Sequence, residues 1–486
     1  RIEVLNFHLS LQSEINVKEI EMKKKVVLFG ASTNGTVAYR NLKHKYNVFY
    51  FIDNDNKKWG GQLEGIRIMS PDILISSPNE YNVIITSQYD VAIAEQLINI
   101  GVRKFGVYDA NNNVVKCYDY SNLKNIVRKK NKISLIMNNN SGSNTYALYK
   151  FASEEIKNKY EIVLIRENDK NNDYYLDIIE SSLVVRTHDS HYNELQKNVQ
   201  LFHGFVFKGI SYMNKYSKEN KEYNHKNWSK LDAIASYSKT YNTFMNACYG
   251  VDGGKYIITG MPRNDLLLKS NGREKLAKLL KMNIDDKKLI YYMPTFRETV
   301  YGQVDGNKDN FNILTNDNFN MKKFDYFLET FNLKMIIKLH PVHTKQAIDY
   351  IENIGLKNIY ALEDMKFKEA HLDLYEVMNA ADLLITDYSS IYFDFLLLER
   401  PIIFTPLDLE EYEKNRGFLA EPYDFWAPGP KCYTFEQLTE EILKCLNDNG
   451  YYQKERQTIC NIVHHYKDAN SSERVWKLID ELMENS

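Results

Sequence analysis

Short apolar runs rich in β-branched and aromatic residues recur along the chain, each followed by a turn and then by a longer stretch with helical spacing. That alternation predicts βαβ units and parallel sheets. In the first unit, Lys25 to Phe29 reads as a strand, Gly30 to Gly35 as a turn, Thr36 to His44 as a helix, and Val48 to Ile52 as a strand ending at Asp53. An acidic residue about 20 positions after a glycine turn is where a dinucleotide fold meets a ribose. The turn, however, is G-x-x-x-x-G and lacks both the middle glycine of G-x-G-x-x-G and the Lys-Ser/Thr of a phosphate loop. The favoured reading is a Rossmann-like accessory domain whose glycines serve tight turning, with nucleotide binding as the alternative.

After the charged linker around Arg128 to Lys132 a second block opens with the strand Ile133 to Met137, the loop Asn138 to Asn144 and a helix. Further strands are expected at Ile162 to Ile165, Leu183 to Val185, Val199 to Phe202, Ala233 to Ala235 and Tyr256 to Ile258. A third block repeats the pattern at Leu289 to Tyr292, Met335 to Leu339, Leu383 to Thr386 and Ile402 to Phe404, and the tail from Phe435 is helical. The expected organisation is an accessory domain over residues 1–130 and two doubly wound domains over 131–270 and 271–486. Two such domains place ligands at the carboxyl ends of their strands.

Composition narrows the function classes. The 486 residues carry 62 Lys plus Arg against 64 Asp plus Glu, a formal charge of −2, which excludes a chain-wide basic footprint for nucleic acid. With 21 glycines and 10 prolines, well below the usual combined ~12%, the chain is expected to fold nearly throughout. Cys117, Cys248, Cys432, Cys445 and Cys460 are scattered and never spaced C-x-x-C, which reads as reduced thiols in a cytosolic protein. Lys23 to Lys25 precede an apolar run too short for a signal peptide, and no window approaches the ~18 apolar residues of a spanning helix. Membrane association is therefore expected to be peripheral.

Four polar clusters follow predicted strands. In Phe202-His203-Gly204 the histidine either presents its imidazole to a cleft, with Gly204 admitting a ligand or another backbone, or is a turn histidine bonded to a carbonyl. In Met293-Pro294-Thr295-Phe296-Arg297 the proline stops the strand and Arg297 enters the loop, suited to a phosphate or to a pair with Glu298. Lys338-Leu339-His340-Pro341 sets Lys338 and His340 on one face as a phosphate clamp and a base, or as a satisfied sheet edge. The fourth cluster runs from a strand through Thr386, Asp387, Ser389 and Ser390 into a helix containing Asp394. Serines at a helix start leave N–H groups facing outward, an anion cradle built without lysine, whereas plain capping explains the serines but not the two aspartates.

The runs T-D-Y-S-S-x-x-x-D-F and R-P-I-I-F-x-P-x-D-L-E-E-Y with R-G-F after it, and the earlier T-G-x-P-R-N-D, P-T-F-R, K-L-H-P and H-G, together resemble the CDP-glycerol glycerophosphotransferase family of teichoic acid primases, polymerases and capsule relatives. The likeness extends from about Lys132 to the C-terminus. It implies a GT-B-like pair of Rossmann-like domains, a CDP-alditol donor, and a polyol-phosphate or glycolipid acceptor. By motif, His203 and His340 match the two catalytic histidines, and Arg297, Thr386, Ser389 and Ser390 match positions near the donor phosphates; Lys338, Asp387 and Asp394 join them from the strand-end reading. Gly142, Gly204 and Lys208 are assigned to the acceptor side. The sequence departs from the family after Gly204, where Phe205-Val206-Phe207-Lys208 replaces a Thr-Pro stretch with paired lysines.

The resulting expectation is in-line attack of an acceptor hydroxyl on the β-phosphorus of CDP-glycerol, with CMP leaving and positioning and charge neutralisation supplying the catalysis. No cofactor is required and no metal site is assigned, although Asp387 and Asp394 keep a divalent ion open. A nucleotide-sugar glycosyltransferase on the same fold is the rival. A stretch from Phe207 to Lys230 that includes Lys208, Lys221, Lys226 and Lys230 among tyrosines reads as a solvated face, or as a track for an anionic acceptor or the inner face of a cell membrane.

Overall fold

The computed structural model describes residues 25–76, 78, 80–110, 112–123, 126–214, 220–295, 319–339 and 341–485. Arg297 and His340 lie outside the described residues, as do Lys215 and Lys218 of the basic stretch. The chain divides into two compact units, one of Arg1–Arg128 with Asn171–Glu180, the other of Lys129–Lys170 with Ser181–Ser486.

The first unit is built on a sheet whose strands lie in the order Gln62–Leu63, Ile66–Met69, Val48–Ile52, Lys25–Phe29, Tyr81–Ile85, Lys104–Asp109 and Val114–Asp119. After Lys25 the central strand is apolar on both faces and buried, as a parallel strand with two covered faces must be. Its helix begins three residues earlier than the sequence predicts, at Thr33–Leu42, and takes in Gly35. A Cβ on Gly35 would sit 2.0 Å from the Gly30 carbonyl oxygen, so this glycine serves helix-to-strand packing. Asp53 accepts from the Ala31 N–H at 2.8 Å and the Asp55 N–H at 2.9 Å, and pairs with Lys58 at 2.9 Å.

The second unit holds two parallel sheets. One has strands in the order Tyr256–Ile258, Ala233–Ser236, Lys197–Gln200, Ser181–Arg186, Lys129–Met137 and Glu161–Arg166; the other runs Ile359–Ala361, Leu333–Ile337, Lys288–Tyr292, Leu383–Thr386 and Ile402–Phe404. This is the α/β architecture expected. Strand ends differ in two places that matter. The strand expected to reach Phe202 stops at Gln200, and the chain turns at Phe202, whose φ is +48°. The strand expected to reach Leu339 stops at Ile337, which frees Lys338 and Leu339 to leave the sheet.

The C-terminal helix Ser471–Glu484 packs Val475, Trp476 and Ile479 against Ile133, Leu135 and Leu183 of the first of these sheets. Asp265 receives the N–H groups of Ser471 at 2.9 Å and Ser472 at 2.6 Å, which satisfies two donors at that helix start. No helix among the described residues is long and apolar enough to cross a membrane.

Candidate functional site

The loops at the carboxyl ends of both sheets of the second unit enclose a cleft of about 560 Å3. Asn138 to Ser141 follow one strand, His203 another, and Met293, Lys338 and the Ser389-Ser390 pair follow three strands of the facing sheet. Parallel strands all end on the same side, so residues far apart in sequence converge there. Its described charged lining comprises Arg166, Arg263, Lys338 and Lys368 against Asp169 and Asp364, an excess of cations suited to a pyrophosphate.

His203 is open to the cleft while protein packs closely around it. Its Nδ1 lies 3.1 Å from the Thr187 carbonyl oxygen, so Nδ1–H donates and Nε2 is left as the bare acceptor. Burial lowers its pKa to about 4; the Thr187 carbonyl works the other way and the Arg263 charge adds to the lowering. The His188 ring stacks on it at 4.4 Å between centroids and 12° between planes. Gly204, at φ +154°, leads the chain past Ser390: a Cβ there would lie 3.1 Å from the Ser390 hydroxyl and 3.2 Å from a guanidinium nitrogen of Arg263.

Lys338 is buried in the cleft wall, donating to the Leu339 carbonyl at 2.9 Å and pairing with Asp364 at 3.2 Å. Asp364 also accepts from the Ser141 hydroxyl at 3.0 Å, which ties the loop of one sheet to the lysine of the other. Ser389 and Ser390 line the cleft, and the Ser390 hydroxyl makes no capping bond. The helix after them, Ile391–Phe395, continues as a single 3-10 turn, Leu396–Leu398, so its end charge is weaker than a long helix would give.

Other residues assigned to the donor phosphates take different places. Asp394 is fully buried beneath the cleft floor, where it pairs with Arg263 and accepts from Tyr375 at 2.6 Å, Asn264 at 3.1 Å and Tyr237 at 3.3 Å. Asp387 is buried and accepts from the N–H groups of Thr295 at 2.8 Å and Tyr388 at 2.6 Å. The Thr386 hydroxyl donates to the Met293 carbonyl at 2.7 Å and joins two strands. These three shape the loops that carry the lining residues. On the acceptor side, Gly142 at φ +94° packs against the Tyr375 ring and donates to the buried Asp373 at 3.0 Å; Lys208 reaches the Thr295 hydroxyl at 3.5 Å and the Tyr412 ring at 5.6 Å and is outside the cleft lining.

Sequence reasoning gave no role to Arg263, whose motif T-G-x-P-R-N-D was the available signal. Its guanidinium donates to the His203 carbonyl at 2.7 Å and the Gly142 carbonyl at 3.4 Å and lies 4.8 Å over the Tyr375 ring. Burial opposes its charge, and the Asp394 carboxylate outweighs burial and holds its pKa well above the usual value. No group of three or more potential metal-ligating side chains occurs among the described residues.

Two Rossmann-like halves facing across a cationic cleft define a GT-B-type transferase architecture. The sequence profile of the CDP-glycerol:poly(glycerophosphate) glycerophosphotransferase family matches residues 109–481, and the chain belongs to that family of enzymes. Residues 22–107 match a separate profile, C2185-like N-terminal. A teichoic acid glycerol-phosphate primase of Bacillus subtilis is 28% identical over 300 residues, 59% of this chain and 68% of the primase. A teichoic acid poly(glycerol phosphate) polymerase of Bacillus spizizenii is 32% identical over 241 residues, 47% of this chain and 53% of the polymerase, so the chain spans about half the length of that relative. The wall teichoic acid polymerase TagF superposes with a TM-score of 0.60 at 21% identity, over 74% of this chain and 90% of TagF.

Proposed function

We propose that the chain transfers glycerol phosphate from CDP-glycerol, or a close CDP-alditol, to a hydroxyl of a polyol-phosphate or glycan acceptor, in the synthesis of a bacterial teichoic-acid-like or capsule polymer. Family membership supports the reaction class. The observation that carries the residue assignment is His203: a neutral imidazole with Nε2 bare, in a cationic cleft, one residue from the chain that touches Ser390. The acceptor oxygen forms a bond to the β-phosphorus, the bond from that phosphorus to the bridging oxygen breaks, and CMP leaves with the bridging oxygen. The acceptor proton passes to Nε2 of His203. Lys338, Arg263 and the Ser389-Ser390 hydroxyls balance and orient the phosphates, and His340 and Arg297 keep the roles that their motifs imply.

Metal independence belongs to the same reading, since cationic side chains can carry the neutralisation. A lipid-linked acceptor at a membrane surface fits the exposed Tyr212 and Met213 beside the helix Lys221–Trp228. Incubation with CDP-glycerol, CDP-ribitol and UDP-sugars, with the released nucleotide weighed, decides the donor: CMP is expected, and UDP overturns the reading. Full turnover in a chelator is expected, and loss restored by a divalent ion removes metal independence. Sedimentation with anionic vesicles that is unchanged when Lys226 and Lys230 are replaced removes the membrane contact.

A further inference from the structure

A second cavity, of about 100 Å3, shares His203, Asn138, Asn139 and Ser141 with the cleft and adds Gly142, Ser143, Thr187 and His188. Among the described residues no Lys, Arg, Asp or Glu lines it, in contrast to the cleft. Its volume is about three waters' share of liquid, room for a three-carbon unit and not for a nucleotide.

Thr187 contacts both imidazoles. Its carbonyl takes Nδ1–H of His203 at 3.1 Å, and its hydroxyl lies 2.9 Å from Nδ1 of His188. The same hydroxyl lies 3.4 Å from Oδ1 of Asn138. His203 therefore presents Nε2 as an acceptor, and Nε2 of the stacked His188 ring is a second uncharged hydrogen-bonding group beside it. Burial lowers the His188 pKa to about 3, with His203 and Arg263 adding to it, and burial lowers His203 to about 4, so both rings are neutral at physiological pH. The amide oxygen of Asn139 accepts from the Ser141 N–H at 3.0 Å. Asn138 and Asn139 each add an NH2 donor. Uncharged ring nitrogens and amide groups side by side match neighbouring hydroxyls, each of which donates once and accepts besides.

We propose that this cavity is a polyol subsite for the terminal unit of the acceptor, the attacking hydroxyl donating to Nε2 of His203 and its neighbour hydrogen-bonding with Nε2 of His188, while Asn138 and Asn139 donate to the hydroxyl oxygens. His188 then selects acceptors with adjacent hydroxyls, and acceptor phosphates stay outside among the cations of the cleft. The assignment of the attacking hydroxyl rests on the transfer reaction proposed above.

The test labels histidine nitrogens in the full chain and follows both rings by NMR as glycerol, n-propanol or CMP is added. Glycerol is expected to shift the Nε2 resonances of His188 and His203 together, and n-propanol to shift neither. No response to glycerol, an equal response to n-propanol, or a His188 response to CMP alone overturns the subsite. Kinetics supplies the second arm, with glycerol as the acceptor probe. H188F is expected to raise the KM for glycerol at least about tenfold with the KM for CDP-glycerol changed less than about twofold, and H188Q, which restores an acceptor oxygen, to recover part of the loss. An unchanged KM for glycerol in folded H188F overturns the proposal. Failure of the unaltered chain to use CDP-glycerol refutes the transfer reaction alone, because the NMR arm needs no donor.

Discussion

Burial and the Arg263 charge take the His203 pKa down to about 4, so the free ring is neutral above about pH 5 and Nε2 is available before any substrate arrives. Phosphate charges beside the ring favour the imidazolium and raise that value. The acid limb of kcat/KM, which reports the free enzyme, is therefore expected near pH 4, and the limb of kcat at higher pH. A kcat/KM limb near the ordinary histidine value identifies a different base. His203→Gln, which keeps a polar side chain but no base, is expected to lower turnover by about 10²–10⁴-fold with little change in the unfolding midpoint. The Asp394 carboxylate acts through Arg263, and Asp394→Asn leaves that guanidinium buried and uncompensated. It is expected to cost about 3–5 kcal/mol in a denaturant titration, because breaking a buried pair strands its partner. His203, Lys338 and the two serines were legible because each directly follows a buried strand, where chain direction decides exposure. Asp394 and Arg263 are 131 residues apart, and a sequence shows a charge without showing what satisfies it.

The loop Asn138–Ser143 is held by the segment Leu372–Glu376 through several bonds at once. Asn140 donates to the Leu372 carbonyl at 2.8 Å and accepts at its own carbonyl from Leu374 at 2.8 Å, while Gly142 and Ser143 donate to Asp373. Burial pushes the Asp373 pKa up to about 7 against those donors, with Glu376 adding to the rise. A carboxyl raised above its unfolded value binds a proton more readily in the fold. Its contribution to stability is thus complete below about pH 4 and lost as pH climbs through 7. Asp373→Asn is expected to flatten that fall, a slope of at most about 1.4 kcal/mol per pH unit, in urea midpoints measured between pH 5 and 8. An identical slope in the variant assigns the pH dependence elsewhere. The central strands were legible because each carries a run of buried apolar residues on both faces, as in Val26–Phe29 and Leu289–Tyr292. The edge strand Ile359–Ala361 was not, since no proline bounds its three residues as Pro401 bounds Ile402–Phe404.

At the scale of the whole molecule, the formal charge of −2 says nothing of local balance, and in the described lining of the cleft four lysines and arginines stand against two carboxylates. Much of the basic stretch is already committed: Lys221 donates to the Asn214 carbonyl at 2.6 Å and Lys226 pairs with Glu222 at 3.3 Å. Composition excluded a nucleic-acid coat and could go no further, because it carries no directions. The first unit shows the same limit. Its glycine turn and trailing acid have the spacing of a nucleotide site, yet Asp53 occupies the Ala31 N–H and is itself paired with Lys58. The turn carries its own anion, covalently delivered. The consequence is a matter of stoichiometry: calorimetric titration of the full chain with CDP-glycerol or CMP is expected to give one class of site per chain. Asp53→Ala is expected to leave that number at one, since the uncovered amide and Lys58 lack the run of glycine N–H groups that cradles a phosphate, and a second equivalent of nucleotide in the unaltered chain would mean that the built-in carboxylate yields to a phosphate.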